Sequence, residues 1–290
     1  MFREDLLQGK RILVTGGGTG LGRSIAERML ELGAEVAICG RRGGVLEEAA
    51  AEMRETTGGT VTTHVVDIRV AEAVDEMVGE IWQGGPLHGL INNAAGNFLS
   101  RTEDLSPRAF DAIANIVLHG TFYVTNACGK RWIADGLPGN VLSIIVTWVW
   151  TGSPYVVPSA MSKAGIAAMT KSLAVEWGPN GIRLNAVAPG TFPTEGAGAR
   201  LRPSPKLQRT MDDIPMRRNG ERQELSNLAA YLMADESAYI TGEVMAIDGG
   251  RWLQGTGGYS HLVGKLDDDD WADIRDRIRS VNEKDKALRG

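Results

Sequence analysis

The sequence predicts an open α/β sheet of about seven parallel strands with helices on both faces, and three observations predict it. Short runs rich in β-branched residues alternate with helical patterns from residue 11 to residue 247. The first run stops at a glycine cluster, Gly16, Gly17, Gly18, Gly20 and Gly22, where a strand hands over to a helix. The regular strand–helix alternation calls for parallel pairing, because the crossover helices then cover both faces of the sheet. A chain of 290 residues, 43% hydrophobic and 23% charged, is long enough to give that sheet a full core.

Each element follows from its pattern. Arg11–Thr15 is apolar and halts at glycine, so it reads as the first strand. Leu21, Ile25, Met29 and Leu32 share one face of the helix that follows, and Gly33 ends it. Glu35–Cys39 is the second strand and Glu47–Glu55 lies in the second helix. Val61–Val66 is the third strand, ending at Asp67, and Ala71–Trp82 the third helix. Leu90–Asn93 is the fourth strand, continued by a glycine-bearing loop, and Pro107–Ile133 is a long helical stretch. Val141–Thr147 gives a buried strand; Trp148 and Trp150, two apart on its continuation, then point to one face as core or pocket wall. The chain breaks at Thr151-Gly152-Ser153-Pro154 and re-enters a helix bearing Lys163 that runs to about Trp177.

Ile182–Ala188 is the next strand, ended by Pro189-Gly190. Arg200–Arg218 is a polar, proline-punctuated insertion, Leu225–Met233 a helix and Val244–Ile247 the last strand. No repeat or low-complexity linker interrupts residues 1–250, which read as one domain, with residues 251–290 a C-terminal helical extension. In that extension Asp267–Asp270 suit a helix start. Trp271, Ile274, Ile278 and Val281 share a face suited to packing on the domain or on a neighbouring subunit.

Composition excludes several classes. A net charge of −5 gives no basic field for phosphate backbones, so nucleic acid is not the expected partner. Cys39 and Cys128 are far apart with no CxxC spacing, which argues against a disulfide framework or a metal site and suits a reducing compartment. The N-terminus is charged, and the longest apolar run is about half a membrane span. A soluble, cytoplasmic protein with no membrane contact is expected.

The run TGGGTGLG at Thr15–Gly22 follows a strand and opens a helix, the context a dinucleotide loop requires. Gly16 permits the tight turn, Gly20 lets the backbone approach a pyrophosphate, and Gly22 allows close packing; Thr19 and Leu21 complete the cofactor-binding set. The fold is thus Rossmann-like. An acidic residue after the second strand would bind a ribose hydroxyl and repel a 2′-phosphate, but Gly40-Arg41-Arg42 stand there. Two guanidinium groups suit that phosphate, so NADP(H) is the expected cofactor. Asn92 and Asn93, at the end of the fourth strand, are placed for cofactor contact. His119, alone in the long helix, reads as structural or as part of a subunit contact.

These residues, with Asp67, NNAAG at 92–96, Lys163, the Pro-Gly after IRLNAVA and ITGEVMAIDGG at 240–250, resemble the short-chain dehydrogenase/reductase family over residues 8–250. The resemblance implies that Lys163 holds the nicotinamide ribose, Asp67 meets the adenine, and Pro189–Phe192, including Gly190, contact the nicotinamide half. In that family a tyrosine four residues before the lysine protonates the substrate carbonyl. Here Ser159 stands at that position, and an aliphatic hydroxyl is a far weaker acid than a phenol.

A narrower resemblance accounts for the serine. INNAAGNFLS at 91–100, EDLSP at 103–107, VVPSAMSKAG at 156–165 and SLAVEWGPNGIRLN at 172–185 look like the 2,4-dienoyl-CoA reductases, in which serine replaces the tyrosine. The implied reaction is NADPH-dependent reduction of a dienoyl thioester to an enoyl thioester in fatty-acid β-oxidation, with charge moving onto the thioester oxygen. By that resemblance Asn97 is an oxyanion donor, and Arg69, Phe98, Ser106 and Arg200 line the acyl-CoA site. Relatives are commonly homotetramers built through the helices at 107–133 and around Lys163. Where mitochondrial-type members carry a second donor tyrosine, this chain has Trp148, whose indole can donate a hydrogen bond but has no usable proton. Three readings stay open: Trp148 as oxyanion donor, Tyr155 reaching in from the loop, or a held water as proton source. Reduction of trans-2-enoyl or 3-oxoacyl thioesters, or NADPH binding without catalysis, are the alternative functions.

Overall fold

The computed structural model describes residues 2–194, 213–254, 267–270, 272–274 and 276. Among them seven strands lie side by side: β1 (Arg11–Thr15), β2 (Glu35–Gly40), β3 (Val61–Val65), β4 (Gly89–Asn92), β5 (Gly139–Ile144), β6 (Ile182–Pro189) and β7 (Val244–Ile247). They form one sheet in the order β3-β2-β1-β4-β5-β6-β7, every neighbouring pair parallel. The chain winds outward one way from β1 to β3, returns to β4 beside β1, and winds the other way. That reversal opens a crevice at the carboxyl ends of β1 and β4, where ligands bind in open α/β sheets.

Helices α1 (Gly20–Glu31), α2 (Gly43–Thr57), α3 (Ala71–Gln83), α4 (Pro107–Ala114), α5 (Gly120–Asp135), α6 (Trp148–Thr151), α7 (Val157–Glu176), α8 (Arg222–Met233) and α9 (Arg251–Gln254) are the described α-helices of the strand-bearing region. Alternation along the strands sorts the core into two layers. Ile12, Val14, Val36 and Ile38 pack with Ile25 and Met29 of α1, Met53 of α2 and Leu225 and Met233 of α8. Leu13, Ala37 and Cys39 face the other way, onto Val74 and Ile81 of α3 and Cys128 and Trp132 of α5. Trp132 is fully buried and its indole N–H still finds an acceptor, Leu87 O at 2.6 Å. Cys39 and Cys128 are free, buried thiols, each pushed up to about 12 by burial.

The expected fold holds, with strand limits moving by one or two residues except at β5, which ends at Ile144, three residues before the expected Thr147. β1 and β7 have the expected bounds, and Gly33 ends α1 at φ +93°. The long helical stretch is α4 and α5 joined by one π-helical turn, Asn115–His119. His119 is exposed there, its ring centroid 6.1 Å from that of Tyr123. At the C-terminal extension Asp267 Oδ1 accepts from the Asp270 N–H at 2.9 Å, and Asp270 Oδ2 from the Asp267 N–H at 3.1 Å, a reciprocal pair at the helix start. Trp271, Ile278 and Val281 lie outside the described residues, as does Arg200.

One expectation is corrected. The strand ladder between β5 and β6 ends at Ile144↔Val187, with one further bond from the Ile145 N–H to Val187 O. Beyond it the chain turns at once into α6, so Trp148 and Trp150 are on a helix, not a strand. Two residues apart on a helix, they point to roughly opposite sides. The apolar pattern suits either conformation; a stack of Trp150 on Trp252, ring centroids 4.6 Å apart, engages this turn from a distant part of the chain.

Candidate active site

The floor of the crevice is the turn from β1 to α1. Gly16 and Gly20 have φ of +67° and +58°, conformations that only glycine adopts freely. A Cβ on Gly22 would stand 2.2 Å from Asn93 Nδ2 and 2.5 Å from Gly16 O, so the loop closes this tightly only with glycine there. Thr19 precedes α1 in extended conformation and makes no side-chain cap, which leaves the first amides of α1 without an intrahelical or side-chain partner. Unbonded amides at the positive end of a twelve-residue helix make an anion site. Leu21 sits in the first turn and packs partly into the core, so its backbone is what it offers to a ligand.

Asn93 takes a different part from the one its position suggests. Its Nδ2 donates to Thr15 O at 3.0 Å and Gly16 O at 3.4 Å, so the side chain holds the glycine loop in shape. Thr15 completes the lock: its Oγ1 accepts from the Asn93 and Ala94 backbone N–H groups, both at 3.0 Å. Sequence reading passed over Thr15, although a hydroxyl just before a glycine loop was the available signal. Asn92 is buried with Nδ2 donating to Thr125 Oγ1 at 2.9 Å. Asn92 Oδ1 and the Oγ of its sheet partner Ser143 are buried polar atoms without a protein partner.

Arg41 and Arg42 are both exposed at the end of β2, and neither forms an ion pair among the described residues. Asp67 and Arg69 lie close by and bind each other: Arg69 Nε is 2.9 Å from both carboxylate oxygens and a second guanidinium nitrogen also donates. The Arg69 bond holds the Asp67 carboxyl below its usual range, with Arg41 adding a weaker pull. The expected adenine contact and the expected acyl-CoA arginine are therefore one charge pair.

On the other side of the crevice, Pro158 opens α7, and Ser159 and Lys163 are both buried one turn apart. Lys163 Nζ donates to the carbonyl of Ile144, the last residue of β5. Burial lowers this amine from 10.5 to about 8. A lysine desolvated and poised this way is a functional-site signature. Asn97 Oδ1 accepts from the Phe98 N–H at 2.9 Å, which leaves Nδ2 as the donor of that amide. Phe98 packs partly into the small cluster of Ile113, Val117, Ile145 and Ile166.

Trp148 is half-buried in α6. Tyr155 is 57% exposed and held at φ +65°, with its carbonyl accepting from the Ser100 N–H at 2.9 Å. Pro189 and Gly190 end β6; the Gly190 N–H donates to Ile247 O at 2.9 Å, and a Cβ there would meet Asp248 at 2.5 Å. Two of the expected site residues also have structural contacts. Phe192 is buried in the core against Gly220. Ser106 caps α4, its Oγ accepting from the Ala109 N–H at 3.2 Å.

A glycine cradle under an uncapped helix terminus, two exposed arginines beyond it with no ion pair among the described residues and a buried lysine across the crevice define a dinucleotide-binding oxidoreductase. Residues 16–251 match the family described as enoyl-(acyl carrier protein) reductase. The chain is 41% identical to a protein from Caenorhabditis elegans named probable 2,4-dienoyl-CoA reductase 3, (3E)-enoyl-CoA-producing, over 99% of this chain and 94% of that one. It is 40% identical to a Bacillus subtilis protein named probable 2,4-dienoyl-CoA reductase, (2E)-enoyl-CoA-producing, over 85% of this chain and 98% of that one. A solved structure of a candidate 2-deoxy-D-gluconate 3-dehydrogenase from Agrobacterium tumefaciens, with bound NADP, superposes with a TM-score of 0.78 at 29% identity, covering 87% of this chain and 99% of that one. The chain belongs to the short-chain dehydrogenase/reductase family and is an oxidoreductase of it.

Proposed function

We propose that the protein is an NADPH-dependent reductase of unsaturated fatty acyl-CoA thioesters, acting on 2,4-dienoyl-CoA to give enoyl-CoA. The observation that carries the reading is the joint presence of a buried Lys163, Ser159 in place of a tyrosine, and an Asn97 amide left with its donor hydrogens. A ketone reductase needs an acid at the carbonyl, whereas a dienoyl thioester needs donors aimed at the developing oxyanion. The relatives named for dienoyl-CoA reduction support the substrate class.

The residues fit the cofactor: Gly16, Thr19, Gly20, Leu21 and Gly22 would hold the pyrophosphate by their backbone. Arg41 and Arg42 would hold the 2′-phosphate, Asp67 the adenine, and Lys163 the nicotinamide ribose. Asn93 serves this set by locking the loop, and Pro189–Phe192 by backbone. NADPH, when bound, supplies a hydride. Asn97 Nδ2 and the Trp148 indole N–H donate to the thioester oxygen as charge gathers there. Lys163 is largely an ammonium at neutral pH and adds positive field behind them. Trp148 has no proton to give and Tyr155 is largely in solvent, so water protonates the carbon. Arg69 swings from Asp67 to the phosphates of CoA, and Phe98 lies along the acyl chain; Arg200, outside the described residues, keeps its expected acyl-CoA role, and Ser106 contributes by fixing the start of α4.

We place the enzyme in the cytoplasm, in the breakdown of polyunsaturated acyl chains, with its buried thiols suited to a reducing compartment. It assembles as a homotetramer through α5 and α7, on which Phe122, Met161 and Val175 are exposed. Purified protein with NADPH and trans,trans-2,4-hexadienoyl-CoA loses cofactor and diene absorbance together. No loss with any dienoyl- or enoyl-CoA would overturn the reading, and equal turnover of 3-oxoacyl thioesters, lost in Tyr155→Phe, would replace it with ketone reduction.

A further inference from the structure

The one-turn helix that carries Trp148 packs against α7 but buries none of its residues fully. α6 is four residues long, and Thr147 gives it no side-chain cap. A single helical turn is unstable on its own. Val149 dips into the small core cluster on one side, and Trp150 stacks on Trp252 with ring centroids 4.6 Å apart and planes 28° from parallel. Trp252 is itself fixed. Its N–H donates to Asp248 Oδ2 at 2.7 Å, Gly250 N–H donates to Asp248 Oδ1 at 2.9 Å, and Asp248 packs against Gly190 at the end of β6. Arg251, next to it, reaches Thr191 Oγ1 at 3.4 Å. The stack therefore ties α6 to the carboxyl ends of both β6 and β7.

We propose that Trp252 is a positioning residue: by stacking on Trp150 it fixes α6 and so sets where the Trp148 indole N–H stands. The inference rests on the functional reading above and gives it a residue at the start of the C-terminal extension, about 100 positions away in sequence. Misplacing a reacting group by about 1 Å costs up to about 100-fold in rate. Loss of the stack should cost on the order of tenfold, because Val149 keeps its hold.

The test is a double-mutant cycle on the holoenzyme with NADPH and hexadienoyl-CoA. Trp252→Ala should lower kcat about tenfold with KM for the thioester within about twofold. Trp252→Phe should recover most of the rate, and in a Trp148→Phe background Trp252→Ala should have almost no further effect. Circular dichroism should show an exciton contribution, beside that of the Trp82–Trp132 pair at 6.3 Å, that Trp252→Ala or Trp150→Leu removes and Trp148→Phe retains. If Trp252→Ala does not fold, Trp150→Leu takes its place in the cycle. Equal losses in both Trp148 backgrounds, a change in KM alone, or no such contribution to remove would overturn this proposal. Wild-type protein that turns over no dienoyl- or enoyl-CoA would overturn the functional reading, and this proposal with it.

Discussion

The two walls of the crevice are built differently. On the cofactor side, each close contact permits one residue: Gly22 has no room for a methyl, Asn93 bridges to Thr15 and Gly16, and Thr15 receives two amides in return. On the substrate side part of the support comes from afar, with a four-residue helix held by Val149 and α7 and clasped by an indole stack, and a loop turned at Tyr155. The contrast teaches that binding a dinucleotide fixes local chemistry, whereas choosing the reacting bond is left to segments that can be re-anchored. One wall is a lock and the other an adjustable jaw.

Breaking the substrate wall should have the largest effect. Asn97→Ala removes the proposed oxyanion donor and should lower kcat about 10²–10³-fold with NADPH affinity unchanged; a loss confined to KM would show that Asn97 only binds. On the cofactor wall, Arg41→Ala with Arg42→Ala should reduce the preference for NADPH over NADH about 10–100-fold, since together the two exposed arginines supply about 1.5–3 kcal/mol of charge-assisted bonding. Equal use of the two cofactors by the parent protein would already refute that assignment.

Gly22→Ala should cost about 1–3 kcal/mol of stability by overpacking, with weakened cofactor binding, because the methyl meets backbone and the Asn93 amide. Thermal melts with and without NADPH would separate the two effects. Lys163 offers a contrast in sign. Its folded value, about 8, lies below the ordinary 10.5, so between those values the unfolded chain binds more protons and this group's contribution to stability rises with pH. The ammonium is lost over the same range, so kcat/KM should fall about tenfold per pH unit above about 8. Lys163→Met should abolish that break. The smallest effect belongs to Ser106→Ala, about 1 kcal/mol of stability from a lost helix cap. A several-fold rise in the KM for acyl-CoA would instead make Ser106 a substrate contact.

The sheet was legible because its signals are local. Strand runs, the glycine turn and Gly33 place β1, α1 and β2 without reference to anything distant. Of the candidate site, Lys163, Asn97 and the arginine pair could be picked out as residue types beside strand ends, and the structure adds that Lys163 is buried and both arginines are exposed. What escaped depended on direction or on partners far along the chain. Spacing cannot tell whether the Asn93 amide faces a ligand or the loop beneath it, and it cannot show Phe192 turning inward onto Gly220. The run through Trp148 and Trp150 is apolar enough for a strand; its helical turn meets Trp252, a partner no local window contains. Thr15 escaped because attention to glycines hides the hydroxyl beside them.

The two thiols have a practical consequence. Cys39 lies in β2 and Cys128 in α5, in the same core layer on one face of the sheet, both fully buried and both pushed up to about 12. Neutral and shielded, they are inert in the native molecule and become reactive only when that layer parts. A thiol reagent thus times the opening of the core, and the effect of cofactor on that labelling rate reads how far the crevice and the interior open as one body.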